Sequence, residues 1–182
     1  MTQVIEHASS GRAKCRGCNA KIDKDALRFG ERLPNAFGEG EATLWFHLSC
    51  AAYKRPEPFL ELLDAGEAAA IPDDGRRAAA ALVPVAKQGI EHRRLPRIDK
   101  VEQAPTGRAR CRSCRELIDK GAWRIGLVFF EEYRFQPSGF IHATCAADYF
   151  GTTEIVDRMR HFNPQLSATD VEAVVAALRS PG

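Results

Sequence analysis

Two small α+β domains in tandem are what this 182-residue sequence predicts, and three observations predict them. Every cysteine falls into one pattern, and the pattern occurs twice. Cys15, Cys18, His47 and Cys50 form C-x2-C-x28-H-x2-C, and Cys111, Cys114, His142 and Cys145 form C-x2-C-x27-H-x2-C. The halves also resemble each other beyond these residues, at an offset of 96 residues before the histidines and 95 after them. Finally, period-2 patterning before each histidine gives way to helical, alanine-rich stretches after the last cysteine. A repeat of this length is a duplicated domain and not a solenoid unit.

The elements follow in chain order. Ser10 to Cys18 matches Thr106 to Cys114, with Gly-Arg-Ala before the first cysteine in both copies. Ile22-Asp23-Lys24 then matches Ile118-Asp119-Lys120, and Leu27-Arg28-Phe29-Gly30 matches Trp123-Arg124-Ile125-Gly126. In the second copy Trp123, Ile125, Leu127 and Phe129 alternate with Arg124, Gly126 and Val128, which predicts a strand. The first copy predicts a shorter strand, then a loop from Pro34 to Glu41. After the cysteines, Pro72 can open a helix containing Ala78 to Val83. In the second copy Thr169 and Glu172 make a capping-box pattern ahead of Val171, Val174, Val175 and Leu178. Pro84 to Pro105 holds prolines, Gly89 and a basic cluster, and reads as a linker. The predicted domains are therefore residues 3–83 and 106–182, joined by 84–105.

Three thiolates and one imidazole are the donor set of a closed, tetrahedral structural zinc site. Two such sets predict two structural zinc ions, with ligands Cys15, Cys18, His47, Cys50 and Cys111, Cys114, His142, Cys145. Four protein donors leave no open position for a catalytic water. Domains of about 80 residues bury little surface, so a metal staple is physically apt. The N-terminal stretch Met1 to Lys14 lacks the apolar core of a secretory signal, and no apolar run is long enough to span a bilayer. Those features, with metal-type cysteine spacing, predict a reducing, intracellular location and no membrane partner.

The formal net charge is only +2, so the distribution is more informative than the sum. Arg12, Lys14 and Arg16 crowd the first cysteine pair, and Arg108, Arg110 and Arg112 crowd the second. Acidic residues collect from Glu57 to Asp74.

The combined motif resembles the PARP-type zinc finger of poly(ADP-ribose) polymerases and a eukaryotic DNA ligase. It consists of Gly11 to Cys18, Ile22 to Arg28 and Trp45-Phe46-His47 to Cys50, repeated as Gly107 to Cys114, Ile118 to Arg124 and Phe140-Ile141-His142 to Cys145. The resemblance implies a small antiparallel sheet with helices around one structural zinc in each domain. It also implies binding to broken, nicked or gapped DNA through the phosphate backbone and loop residues stacked on unstacked bases. In that reading Arg12, Lys14, Arg16, Arg108, Arg110 and Arg112 meet DNA, and Arg28 and Arg124 hold the family's phosphate-contacting position. Phe37 and Phe135 are the stacking candidates; Trp45, Phe46, Phe140 and Trp123 are expected in the core. No ADP-ribosyltransferase or ligase domain fits in the chain, so the expectation is a binding protein and not an enzyme, with a DNA-repair enzyme as a possible partner. The location implied is the nucleus in a eukaryote, or the cytoplasm and nucleoid in a bacterium. The competing expectation is a zinc-stabilised protein-interaction adaptor, which the acidic segment would suit.

Overall fold

The computed structural model describes residues 3–35, 39–65 and 71–180. The chain divides into two compact units that meet in sequence at Glu91 and His92. Each contains one antiparallel three-stranded sheet followed by helices.

In the first unit, β1 (Val4–His7), β2 (Leu27–Pro34) and β3 (Glu41–His47) lie in the order β1-β2-β3. β2 pairs with both neighbours, Ile5 opposite Phe29 and Phe29 opposite Phe46. Those three side chains are fully buried. Phe29 lies between Phe46 and Phe59, at ring-centroid distances of 6.3 and 5.8 Å. Phe59 comes from α2 (Pro56–Asp64), which follows α1 (Leu48–Lys54). α3 (Asp73–Glu91) packs against α1 and α2, and its buried residues are Gly75, Ala79, Ala86 and Gly89, with Gly75 set against Ile5 and Leu27 of the sheet. These buried small residues recur at helical spacing and let the helices approach closely.

In the second unit, β4 (Ile98–Gln103), β5 (Trp123–Glu131) and β6 (Arg134–His142) are ordered β4-β5-β6. Then come α4 (Ala146–Phe150), α5 (Val156–Phe162) and α6 (Ala168–Arg179). The core holds Leu95, Ile98, Val101, Ile118, Ile125, Ile141, Met159 and Val174. Register shifts in β4 between Ile98 and Val101. Buried Asn163 completes the polar bonding there: its Oδ1 accepts from Val101 N at 2.8 Å, and its Nδ2 donates to the carbonyls of Asp99 and Met159.

Two expectations need correction. The segment 84–105 is not a linker: residues 84–91 end α3, and 98–103 are β4, the edge strand of the second sheet. Pro84 lies inside α3 on an exposed position. A proline there removes one helical hydrogen bond, but the buried stripe beyond it keeps the helix going. β5 is the expected strand, buried on both faces from Arg124 through Val128, while Phe129 is 41% exposed. The cap of α6 is Ser167 and not Thr169. Its Oγ accepts from Asp170 N at 3.1 Å and the Asp170 carboxylate accepts from Ser167 N, a full capping box.

Candidate metal centres and nucleic-acid interface

The residues flanking each cysteine pair fold into a tight knuckle. Cys15 N donates to Ala20 O and Asn19 N to Cys15 O; Cys111 N donates to Glu116 O and Arg115 N to Cys111 O. Asn19 and Arg115 take the left-handed conformation that closes the turn, at φ 61° and 71°. The knuckle is then sewn to the last strand, Arg16 N to Trp45 O and Arg112 N to Phe140 O, each 2.8 Å. That pairing brings the cysteine pair beside the histidine ending the strand and the cysteine three residues later.

The donor atoms of Cys15, Cys18, His47 and Cys50 all lie within 4.8 Å of one another, as do those of Cys111, Cys114, His142 and Cys145. His47 Nδ1 is 3.4 Å from Cys18 Sγ and 3.9 Å from Cys50 Sγ; His142 Nδ1 is 3.4 Å from Cys114 Sγ and 3.8 Å from Cys145 Sγ. Tetrahedral zinc with Zn–S near 2.3 Å and Zn–N near 2.0–2.1 Å has S···N edges of about 3.6 Å. The separations fit. On the far side of each ring, Nε2–H donates to a backbone carbonyl at 3.2 Å, Lys21 O for His47 and Leu117 O for His142. This bond fixes the tautomer that turns the Nδ1 lone pair toward the thiols. Backbone N–H groups also point at sulfur: His47 N to Cys15 Sγ at 3.3 Å, and His142 N and Ser113 N to Cys111 Sγ at 3.4 Å.

These groups cannot all shed their protons by themselves. A hydrogen bond from Cys50 pulls the Cys15 thiol down to about 3, and the same bond pushes Cys50 up. Burial raises Cys18, and the bond to Cys15 raises the His47 imidazole. In the second cluster burial opposes ionisation of Cys111, but the N–H groups of His142, Cys114 and Ser113 outweigh it and hold the thiol at about 7. Burial pushes Cys145 up to about 12. A divalent cation resolves this competition by replacing the protons. Cysteine-rich, carboxylate-free donor sets of this kind select zinc over hard cations. The clusters are two structural zinc sites.

Residues 6–72 match the family described as the poly(ADP-ribose) polymerase and DNA-ligase Zn-finger region. Over 163 residues, 81% of the chain, the sequence is 28% identical to a poly [ADP-ribose] polymerase of Sarcophaga peregrina. Residues 6–72 are a PARP-type zinc finger by this match, and the second copy repeats its motif. It is also similar to poly [ADP-ribose] polymerase 1 of Oryza sativa subsp. japonica, 27% identical over 77% of the chain. A third relative is the polynucleotide 3'-phosphatase ZDP of Arabidopsis thaliana, 24% identical over 80% of the chain. The chain spans 16%, 14% and 24% of the lengths of these three relatives.

Each PARP-type finger places its predicted basic residues in two settings. Arg12, Lys14 and Arg16 are exposed, alternating with the inward Ala13 and Cys15; Arg108, Arg110 and Arg112 repeat the arrangement. Each trio brackets an isolated β-bridge of the knuckle, Lys14 to Lys21 and Arg110 to Leu117. Arg28 and Arg124, by contrast, are each only 7% exposed. Arg28 donates through Nε and Nη2 to Glu6 Oε1 at 3.1 and 2.5 Å, and its guanidinium lies 3.5 Å from the Trp45 ring centroid. Arg124 does the same with Glu102 Oε1, at 3.2 and 2.6 Å, over Phe140 at 3.7 Å. In both arginines Nη1 takes no hydrogen bond among the described residues.

Trp45 and Phe140 are thus half-buried shelves for an arginine, while Phe46 is core as expected. Trp123 is half-buried and packs against the second core. Phe135 is half-buried in β6, its ring 5.0 Å from Phe130 and tilted by 56°. Phe37 lies outside the described residues.

Glu6 and Glu102 were missed from sequence. The signal was present, because the 96-residue offset continues upstream: Ile5-Glu6-His7-Ala8 matches Val101-Glu102-Gln103-Ala104.

Proposed function

We propose that the protein binds DNA at breaks, nicks or gaps, and that it acts by binding and not by catalysis. The observation that carries this reading is the repeated cationic arrangement around each zinc knuckle. In each finger three exposed basic side chains flank the first cysteine of the knuckle, and a further arginine is fixed by a carboxylate and an aromatic ring. In this reading the exposed trios, Arg12, Lys14, Arg16 and Arg108, Arg110, Arg112, neutralise backbone phosphates. Arg28 and Arg124 each offer their remaining Nη1 donor to a phosphate oxygen, with the guanidinium already oriented so that little rotamer entropy is lost on contact. Zinc has a structural part: it fixes the knuckle and hence the spacing of the cations. Phe135, and Phe37 in the first finger, are the residues we assign to unstacked bases, each worth about 1–3 kcal/mol. The family of the first finger and the relatives' printed names, a polymerase of ADP-ribose and a polynucleotide phosphatase, support a role near damaged nucleic acid. We place that role inside the cell, with a DNA-repair enzyme as partner.

The test is the salt dependence of binding to a nicked duplex by protein verified to hold two zincs. Phosphate-dominated binding weakens steeply as salt rises, by about 0.9 in the logarithmic slope per neutralised phosphate. Replacing Arg28 and Arg124 by alanine should lower affinity while both zincs stay bound. Salt-independent binding, or none, would favour the protein-interaction adaptor.

A further inference from the structure

We propose that the second finger carries an additional phosphate-binding surface, formed by Arg93, Arg94 and Arg97, that receives the backbone of a nucleic acid away from the zinc knuckle. The inference rests on the DNA-binding reading above and extends it to residues outside the finger motif.

The segment leading into β4 is anchored, not loose. Leu95 is fully buried and pins a single 3-10 turn, Leu95–Arg97, against the second core. The neighbouring arginines are thereby laid over two aromatic rings. Arg94 stands 4.7 Å from the Tyr149 ring centroid and donates through Nη1 to the Tyr149 carbonyl at 3.1 Å. Arg97 stands 4.1 Å from the Phe129 ring centroid and donates through Nη1 to the Tyr149 hydroxyl at 3.3 Å. Arg93 is exposed beside them. None of the three has a carboxylate partner among the described residues, whereas Arg28, Arg55, Arg76, Arg124 and Arg134 all do.

Stacking on a ring fixes the plane of a guanidinium while leaving its charge uncompensated. Two arginines held this way, with a third next to them, suit a polyanion whose charges recur at short intervals. The stacking also gives a use to Phe129, which is 41% exposed directly after the buried run Arg124 to Val128 of β5. The two aromatic shelves are not repeated in the first finger, where Leu33 stands in place of Phe129 and Lys54 in place of Tyr149. The feature therefore belongs to the second copy and is no part of the shared fold.

The experiment uses the full chain and a nicked DNA dumbbell, with affinity measured across a salt series. Replacing all three arginines by glutamine should reduce the logarithmic salt slope by about 2–3, because each lost phosphate contact removes about 0.9. Replacing all three by lysine should keep the slope, since lysine preserves the charge. An unchanged slope in the glutamine variant, with wild type binding normally, would overturn this surface and leave the DNA reading intact. No binding by wild type would remove both. Should the triple variant lose zinc, Arg93→Gln alone is the measurement. Arg93 makes no hydrogen bond or ion pair among the described residues, and its loss should lower the slope by about 1. No change in that variant overturns the proposal. Unaltered DNA binding combined with lost binding to a polyglutamate peptide would assign the surface to an acidic protein instead, which also overturns it.

Discussion

The two fingers solve one packing problem in opposite ways, and that difference can be tested. In the first finger Glu31, on β2, is 1% exposed and takes both bonds from Arg55, at 2.8 and 2.5 Å. The repeat puts Leu127 and Phe150 at these positions in the second finger, both buried in its core. With charge centres about 4 Å apart, the attraction is about 4 kcal/mol at an effective dielectric of 20. Desolvating both groups cancels much of it, and Arg55, at 21% side-chain exposure, pays less than Glu31 at 2%. Glu31→Leu alone takes the buried carboxylate away from the Arg55 guanidinium and should cost about 3–5 kcal/mol. Glu31→Leu with Arg55→Phe copies the second finger and should be neutral or stabilising by up to about 4 kcal/mol. For a domain of this size each kcal/mol moves the midpoint by about 4–8 °C, so the single variant should melt on the order of 15–30 °C lower. The chain has two tryptophans, so Trp123→Phe leaves Trp45 fluorescence as a reporter of the first finger alone. A double variant as unstable as the single, or a single variant within about 1 kcal/mol of wild type, would refute the reasoning.

Three further outcomes follow from the geometry. Cys50→Ala should leave one zinc per chain and unfold the first finger, and Cys145→Ala should do the same to the second, because structural zinc supplies folding energy; two zincs by mass spectrometry in either variant would contradict the ligand assignment. Zinc affinity should fall on acidification. His47, Cys18 and Cys50 hold protons more tightly than usual, and Cys145 is pushed up to about 12. The metal must displace those protons, so chelator competition should show weaker binding at about pH 6 than at about pH 8; a flat profile would contradict this. Gly30→Ala should destabilise the first finger by about 1–3 kcal/mol, since its Cβ would meet Trp45 at 2.7 Å and Val4 at 2.8 Å. Gly126→Ala, whose nearest contact is Lys100 O at 3.2 Å, should be milder in the same denaturation assay.

The zinc ligands were fully legible because metal coordination leaves a spacing that nothing else produces twice. So were a strand between each knuckle and its histidine and the last helix of each finger, whereas α1, α2, α4 and α5 were not read. The boundary between fingers was not. Prolines and a basic cluster between residues 84 and 105 resemble a linker, yet tertiary packing of Ala86 and Gly89 on one side and Leu95, Ile98 and Val101 on the other absorbs the segment. Local composition cannot report such long-range burial. The setting of Arg28 and Arg124 was also hidden, since their partners lie 22 residues upstream in β1 and β4. The repeat could have exposed it, had the 96-residue offset been followed past Gly11 and Gly107. Phe129 shows the converse. Period-2 alternation groups it with Ile125 and Leu127, which are buried, but at the end of β5 the ring turns outward beneath Arg97.

The central claim is that these fingers recognise discontinuities in DNA. It is tested most directly by titrating zinc-verified protein against a nicked DNA dumbbell and competing with the same dumbbell ligated shut. The account predicts that the sealed form competes poorly, because it offers backbone phosphates but no unstacked base. Equal competition by the sealed form would contradict break recognition and leave only a general backbone binder.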